Sequence, residues 1–476
     1  MKTFPFICAL FFVGRAEEQS LFCTHCKCST TNQTIDVDCT DKFITVAVFE
    51  SNSSWFDSAG AAYPFGRVIL KNSDLPDINV PFPVSNLTYL DLSSNFIRNI
   101  KDESFAQLQQ MHTLILSYNA IDKLKPEVFK GLRADGSNYP LGSLKTLKLD
   151  NNNIHTLDQD LFEHLDQVLE VLDLSYNPFK VFDQQTTIAI GSIVFLKELY
   201  LSYTKIKKLP NYFLHTPKHL KVLDLSGNGF TSIPEGLTDV HTLETLFFNA
   251  NSIVNLTEEN GFKNVSSLKT LHFCNMVDLE EIGAHSISAL ENLEELHICN
   301  NLKLSRIHPA TLTRTEVETE IWPPIRKLNL RANQLSTIDF HLVLHWEKLK
   351  ELDMRSNPWT CECENQWFVD TLMPIYIKID NATAQQIKCG APIEMVGLTF
   401  YDEYMGAKNM RCLDAYGNHP ERDGPILIGI LIGLLIGIPM VLFLIFAYQR
   451  NWFGVCEKGP AAYSRQFYRR TRADEL

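Results

Sequence analysis

The chain has 476 residues, enough for more than one domain, with an ordinary charged fraction of 21% and a formal net charge of -13. That balance excludes a nucleic-acid-binding surface, which needs clustered positive charge. Its twelve cysteines gather toward two ends, Cys23, Cys26, Cys28 and Cys39 at one and Cys361, Cys363, Cys389 and Cys412 at the other, so they read as oxidised brackets around something longer.

Residues 1–16 read as a secretory signal peptide. Lys2 supplies a basic start, Phe4 to Val13 is an apolar run too short to span a bilayer, and Gly14-Arg15-Ala16 offers small residues for cleavage. Cys8 is then removed and eleven cysteines remain. The N-terminal cysteine cluster falls in a segment assigned to 17–60. Its spacing leaves disulfides and a zinc ribbon both open, and a secretory compartment favours disulfides.

From 61 to 356 the chain repeats. The pattern L-x-x-L-x-L-x-x-N-x-L starts at Leu87, Met111, Leu144, Leu169, Leu196, Leu220, Leu243, Leu268, Leu293, Ile325 and Leu349, eleven copies mostly 23 to 27 residues apart, after a degraded first copy at 68–75. We number these repeats 1 to 11 and their positions from each start. Alternating leucines at positions 4 and 6 predict a short strand with its apolar side inward, so stacked copies predict a parallel sheet over a continuous core. The asparagine at position 9 (Asn95, Asn119, Asn152, Asn177, Asn228) turns the chain out of the strand and satisfies backbone groups there.

Repeats 8 and 9 share a His-x-Cys cassette, "LHFCN" at 271–275 and "LHICN" at 296–300. The frame sends His272, Cys274, His297 and Cys299 to the solvent side of neighbouring strands ~4.8 Å apart. Three outcomes are open: a Cys274–Cys299 disulfide, two free thiols, or a Cys2His2 metal site. An oxidising compartment ranks them in that order. Outward positions also carry Ile115, Tyr118, Tyr176, Tyr200, Tyr203 and Phe247. Aromatic residues are enriched in interface cores, which predicts a partner-binding strip centred on Tyr200, Tyr203, Phe247 and His272, although tyrosine and phenylalanine also form strands readily. Two inserts, around 133–142 and at 314–324, are expected to form loops.

A second cysteine segment, 357–415, precedes a linker at 416–423 and an uncharged run from Gly424 to Tyr448, long enough to cross a membrane. Arginine and lysine follow that run (Arg450, Lys458, Arg465, Arg469, Arg470, Arg472), which places the tail 449–476 in the cytosol. The expected location is the plasma membrane, single-pass and type I. Sequons at Asn32, Asn52, Asn86, Asn255, Asn264 and Asn381 all precede the span, as glycosylation in that orientation requires. Gly429, Gly433 and Gly437 recur every fourth residue, a small-residue face for helix packing and homodimerisation, though glycine is common in membrane helices. In the tail, Cys456 is a palmitoylation candidate and the arginines around Tyr463 and Tyr468 suit anionic lipid. The ending "ADEL" resembles a luminal retrieval signal, but a cytosolic end is not read that way; Asp474 and Leu476 instead form a PDZ-type C-terminal ligand.

These motifs resemble those of extracellular leucine-rich repeat proteins of the single-pass type. The layout is similar to leucine-rich repeat neuronal proteins, trophoblast glycoprotein and Toll-like receptor ectodomains. "CTHCKC" with Cys39 resembles the family's N-terminal cap, with Thr24 where proline is common, and "NPWTCEC" with Cys389 and Cys412 resembles its C-terminal cap. The resemblance implies pairing of Cys23 with Cys28, Cys26 with Cys39, Cys361 with Cys389, and Cys363 with Cys412. It implies an α/β solenoid, a horseshoe with its parallel sheet on the concave face, disulfide-capped at both ends, plus one transmembrane helix. The short tail departs from Toll-like receptors, whose signalling domain is not carried over. No G-x-S-x-G, H-E-x-x-H or P-loop string is present, so no enzyme, metal or cofactor is expected. The expected function is a cell-surface receptor or co-receptor for a protein ligand. The alternative is a homophilic or heterophilic adhesion molecule whose tail is mainly an anchor.

Overall fold

The computed structural model describes residues 19–31, 33–132, 138–317, 319–407, 410, 423–450 and 452. The signal segment 1–16, Asn32, Cys412, residues 416–422 and the tail calls from Cys456 to Leu476 lie outside the described residues.

Each of the eleven repeat starts lies two residues before a strand of three residues, from Tyr89–Asp91 in repeat 1 to Glu351–Asp353 in repeat 11. These strands, preceded by Phe65–Ile69 from the degraded copy, pair in parallel within one 14-stranded sheet whose first two strands, Lys27–Thr31 and Thr34–Asp38, form an antiparallel hairpin. The chain is a parallel-sheet solenoid.

Position 4 sits at the middle of each strand and is leucine in every repeat. Registry sets these leucines directly side by side, Leu90 on Leu114, Leu147 on Leu172, Leu199 on Leu223, and none is more than 5% exposed. Burying one leucine contributes ~1.5–3 kcal/mol, and here each is shared with both neighbours rather than closed off within its own repeat. Stacked phenylalanines continue the core, with Phe82, Phe105 and Phe129 at centroid separations of 5.5 and 6.5 Å.

The strand ends by a backbone device common to all eleven repeats. Position 8 is left-handed throughout, with φ between 53° and 66°, whether it is serine, tyrosine, asparagine, alanine or glycine. Its N–H then donates to the position-7 carbonyl of the next repeat, as Tyr176 does to Ser202 at 2.7 Å and Tyr203 to Ser226 at 2.8 Å. The turn points position 9 inward. There the Asn177 amide donates to Leu149 O at 2.9 Å and Leu174 O at 3.0 Å, while its Oδ1 accepts from Ile154 N at 3.0 Å. Asn95, Asn119, Asn152, Asn228 and Asn251 make comparable contacts, so the asparagines lace neighbouring repeats together. Thr204 stands at this position in repeat 5; its hydroxyl lies 3.0 Å from its own Leu201 O and 3.0 Å from Asn228 Oδ1 of repeat 6, but that hydroxyl makes no bond back to repeat 4.

Aromatic lids cover the core. At the N-terminal end Phe22, fully buried, meets Trp55 edge-on at 5.0 Å, and Trp55 meets Phe65 and Phe82. At the C-terminal end Phe368 packs between Trp359 and Phe400. Both expected loops hold antiparallel hairpins, Lys130–Leu132 with Asn138–Pro140 and Arg314–Glu316 with Thr319–Ile321. A separate apolar helix, Asp423–Gln449, has 27 residues. At ~1.5 Å per residue it exceeds the ~30 Å hydrocarbon core, so it is long and apolar enough to cross a membrane.

Candidate protein-binding face

Positions 3 and 5 of each strand flank the buried leucine and face solvent, giving two columns of side chains that run across the sheet. In the position-5 column Phe247, His272 and His297 are direct registry partners. Their rings stack face to face, Phe247 on His272 at 4.5 Å and His272 on His297 at 4.4 Å, the second pair only 5° from parallel. Burial first, then the neighbouring His297, pushes the His272 imidazole down to about 4. His297 is also lowered by burial, against the pull of Glu295. Both rings are therefore neutral at pH 7, and neutral rings can stack without charge repulsion.

Further along the column, Asp173, Tyr200 and Asp224 are registry neighbours. Tyr200 donates its hydroxyl to Glu198 at 2.8 Å, and burial together with that bond raises its pKa. Burial also raises the carboxyls of Asp173 and Asp224 above the ordinary range.

Two sequence expectations are corrected here. Cys274 was placed on the solvent face, but it is buried, as are Ser117, Ser175 and Ser202 at the same position, all 5 to 7% exposed, while Cys299 is half-buried. The strand stops at position 5, and the left-handed turn folds position 7 under. Tyr118, Tyr176 and Tyr203, expected on strands, occupy that turn at position 8 with φ of 55–56°. The turn lifts them outward, leaving Tyr176 50% and Tyr203 44% exposed, and their rings stack at 4.6 Å. The four residues of the expected strip thus divide: Phe247 and His272 touch, Tyr203 pairs with Tyr176, and Tyr200 turns to Glu198. Gly227, the position-8 residue of repeat 6, lies under the Tyr203 ring so closely that an added Cβ would overlap Tyr203 Cδ1 and Cε1. The sequence reading missed Asp173, Asp224 and Gly227; their signal was the registry of positions 5 and 8 with the tyrosines beside them.

The cysteine sulfurs of 274 and 299 are joined, across a Cα separation of 4.5 Å, so neither is available as a thiolate metal ligand. Cys23 is bonded to Cys28 and Cys26 to Cys39, while Cys361, Cys363 and Cys389 are each in a disulfide. Beside the sheet face, position 2 carries a charge ladder in which Lys145 and Lys197 bracket Glu170, and Lys221 and Lys269 bracket Glu244. The sequon asparagines 52, 86, 255, 264 and 381 are all exposed. An added Cβ on Gly429, Gly433 or Gly437 would meet open space.

Comparison with known proteins agrees with the geometry. A leucine-rich repeat model matches residues 85–134, and a leucine-rich repeat region model matches 143–374. Lumican of Coturnix japonica is 29% identical over 199 residues, 40% of this chain and 52% of lumican. The transforming growth factor beta activator LRRC33 of Danio rerio is 28% identical over 220 residues, 42% of this chain and 31% of that protein. The chain thus spans about half, or less, of these relatives' own length. Among solved structures, a chain of the Drosophila Toll–Spatzle complex superposes with a TM-score of 0.50 at 17% identity, covering 74% of this chain and 49% of that one. That likeness is one of fold. With strand and turn recurring through eleven registered copies and the position-9 asparagine in nine of them, the chain is a leucine-rich repeat protein.

Proposed function

We propose that this chain is a membrane-anchored receptor or co-receptor that binds a protein ligand on the solvent face of its sheet, across repeats 4 to 9. The observation that carries the reading is the ring pattern of that face. Two separate stacks, Tyr176–Tyr203 and Phe247–His272–His297, present aromatic surface in preformed geometry. Stacked rings lose little freedom on binding, and aromatic anchors dominate interface energetics. The reading is supported by relatives described as a growth-factor activator and as Toll in complex with Spatzle. It is a binding reading, not a catalytic one.

The anchoring is type I in this proposal, at the plasma membrane. Exposed sequon asparagines precede the helix and carry glycans outside, and the basic residues after it stay in the cytosol. Gly429, Gly433 and Gly437 form a homodimer face, and Asp474 with Leu476 recruits a PDZ adaptor.

The test is an array of extracellular proteins probed with the full-length chain in nanodiscs. Saturable binding that falls at least tenfold in Phe247→Ala and in Tyr203→Ala supports the face; binding indifferent to both substitutions refutes it. Aggregation of non-adherent cells expressing the chain, with each other alone, would replace the receptor reading with homophilic adhesion.

A further inference from the structure

The face of repeats 4 to 6 holds carboxylates that make no ion pair among the described residues. Asp173 and Asp224 lie on either side of Tyr200 in one registered row. Each is half-buried and accepts one backbone hydrogen bond, from Ser175 N at 3.0 Å and Ser226 N at 2.8 Å. The lysines of the neighbouring repeats are engaged elsewhere: Lys145, Lys197 and Lys221 sit at position 2, held by Glu170 and Glu244. Among the described residues Lys148 is the cation acting on Asp173, and Asp150 opposes it from the adjacent turn. Glu198 adds a third carboxylate through the Tyr200 hydroxyl. Serine hydroxyls stand beside both carboxylates, Ser175 at Asp173 and Ser202 and Ser226 at Asp224, but a charge half withdrawn from water without an ion-pair partner is still costly to the free protein.

Two further observations point the same way. Ser226 is 8% exposed and lies beside Asp224, yet its Oγ finds no hydrogen-bond partner of good geometry. At the end of the same strands stand the stacked rings of Tyr176 and Tyr203, and Gly227 leaves Tyr203 room to lie flat. Half-exposed aromatic rings next to carboxylates without an ion pair match a cation that is both planar and rich in donors.

We propose that this patch receives an arginine side chain of the protein ligand, its guanidinium paired with Asp173 and Asp224 and its flat face or stem against the Tyr176–Tyr203 rings. The inference rests on the placement of the ligand on the sheet face. It adds the chemistry of the partner: a basic segment with a projecting arginine. Lysine fits less well, because a compact ammonium neither stacks nor spans two carboxylates.

The test uses cells displaying the full-length chain and two fluorescent peptide pools, identical and otherwise uncharged, with a central arginine in one and its neutral isostere citrulline in the other. Wild-type cells should retain the arginine pool at least tenfold better. Asp173→Asn with Asp224→Asn should abolish that preference at unchanged surface level, and Tyr203→Ala should reduce it several-fold. Thermal stability of the double variant should hold or rise, whereas residues kept only for folding would lower it. Equal retention of the two pools, or an arginine preference that survives the double substitution, overturns the proposal. Array binding that is lost in Phe247→Ala without any arginine preference sinks this inference alone. An arginine preference without array binding sensitive to Phe247→Ala or Tyr203→Ala supports it and sinks the broader reading.

Discussion

Replacing Asn177 by alanine tests whether the asparagine column holds the repeats together. The residue is 1% exposed and serves four backbone groups in two repeats: Leu149 O, Leu174 O and Ile154 N, with a longer contact to Ser175 O at 3.3 Å. Alanine fills less space and satisfies none of them, and each buried group left without a partner costs ~1–3 kcal/mol. Allowing for partial relaxation, Asn177→Ala should lose about 3–5 kcal/mol. The chain supplies its own intermediate case in repeat 5, where the Thr204 hydroxyl contacts Leu201 O and Asn228 Oδ1 but makes no bond back to the carbonyl of repeat 4. Asn177→Thr should therefore keep the Leu174 O bond, lose the one to Leu149, and cost about 1–2 kcal/mol. Guanidinium denaturation of the purified chain measures the difference, and hydrogen exchange locates it, since the Ile154 amide should lose protection first. A loss below ~1 kcal/mol for Asn177→Ala, or an unchanged Ile154 amide, would refute the argument.

Three other predictions follow from the same geometry. Replacing Cys274 and Cys299 together by serine opens a loop of sequence separation 25, and loop-closure entropy gives a loss of about 3 kcal/mol; an unchanged denaturation midpoint would contradict it. His272 has a folded pKa of about 4 against a reference of 6.5, so the unfolded state binds more protons between those values. Its contribution is complete above pH 6.5 and is lost as the pH falls toward 4. With the exposed edge of the ring screened by water, His272→Gln should remove about 1 kcal/mol of the stability change between pH 7 and 5, and equal slopes in both proteins would exclude it. Gly227→Ala meets both a left-handed backbone and the Tyr203 ring, so it should cost about 1–2 kcal/mol and displace the Tyr176–Tyr203 stack, seen as a change in near-ultraviolet circular dichroism.

The repeat frame was legible because leucine spacing records which side chains face inward, and registry then has little freedom: a one-residue slip would expose every position-4 leucine. Exposure beyond position 5 was not legible from alternation. Extrapolating the strand's period of two put Cys274 in solvent and Tyr203 on a strand, whereas the strand ends at position 5 and the turn that follows, left-handed at position 8, breaks the period across both. The variety of residues there, from Gly227 to Tyr203, hides a conformation usually signalled by glycine or asparagine. Contacts across repeats were hidden for another reason. Tyr176 and Tyr203 are 27 residues apart, and only the fold makes them neighbours. The insert hairpins escaped notice because neither Lys130–Leu132 nor Arg314–Glu316 shows apolar alternation.

The left-handed position 8 also separates two demands on the sequence. A non-glycine residue there carries a steric penalty of about 1 kcal/mol, least for asparagine. Repeats 3, 8 and 9 take that easy choice with Asn151, Asn275 and Asn300, but repeats 2, 4 and 5 hold tyrosine. Backbone conformation alone favours asparagine at Tyr118, Tyr176 and Tyr203, so tyrosine there is what the proposed binding face asks for and the turn does not. Tyr176→Asn should accordingly make a sturdier protein and a poorer binder, and at this one recurring turn the most informative substitutions are those that improve the fold.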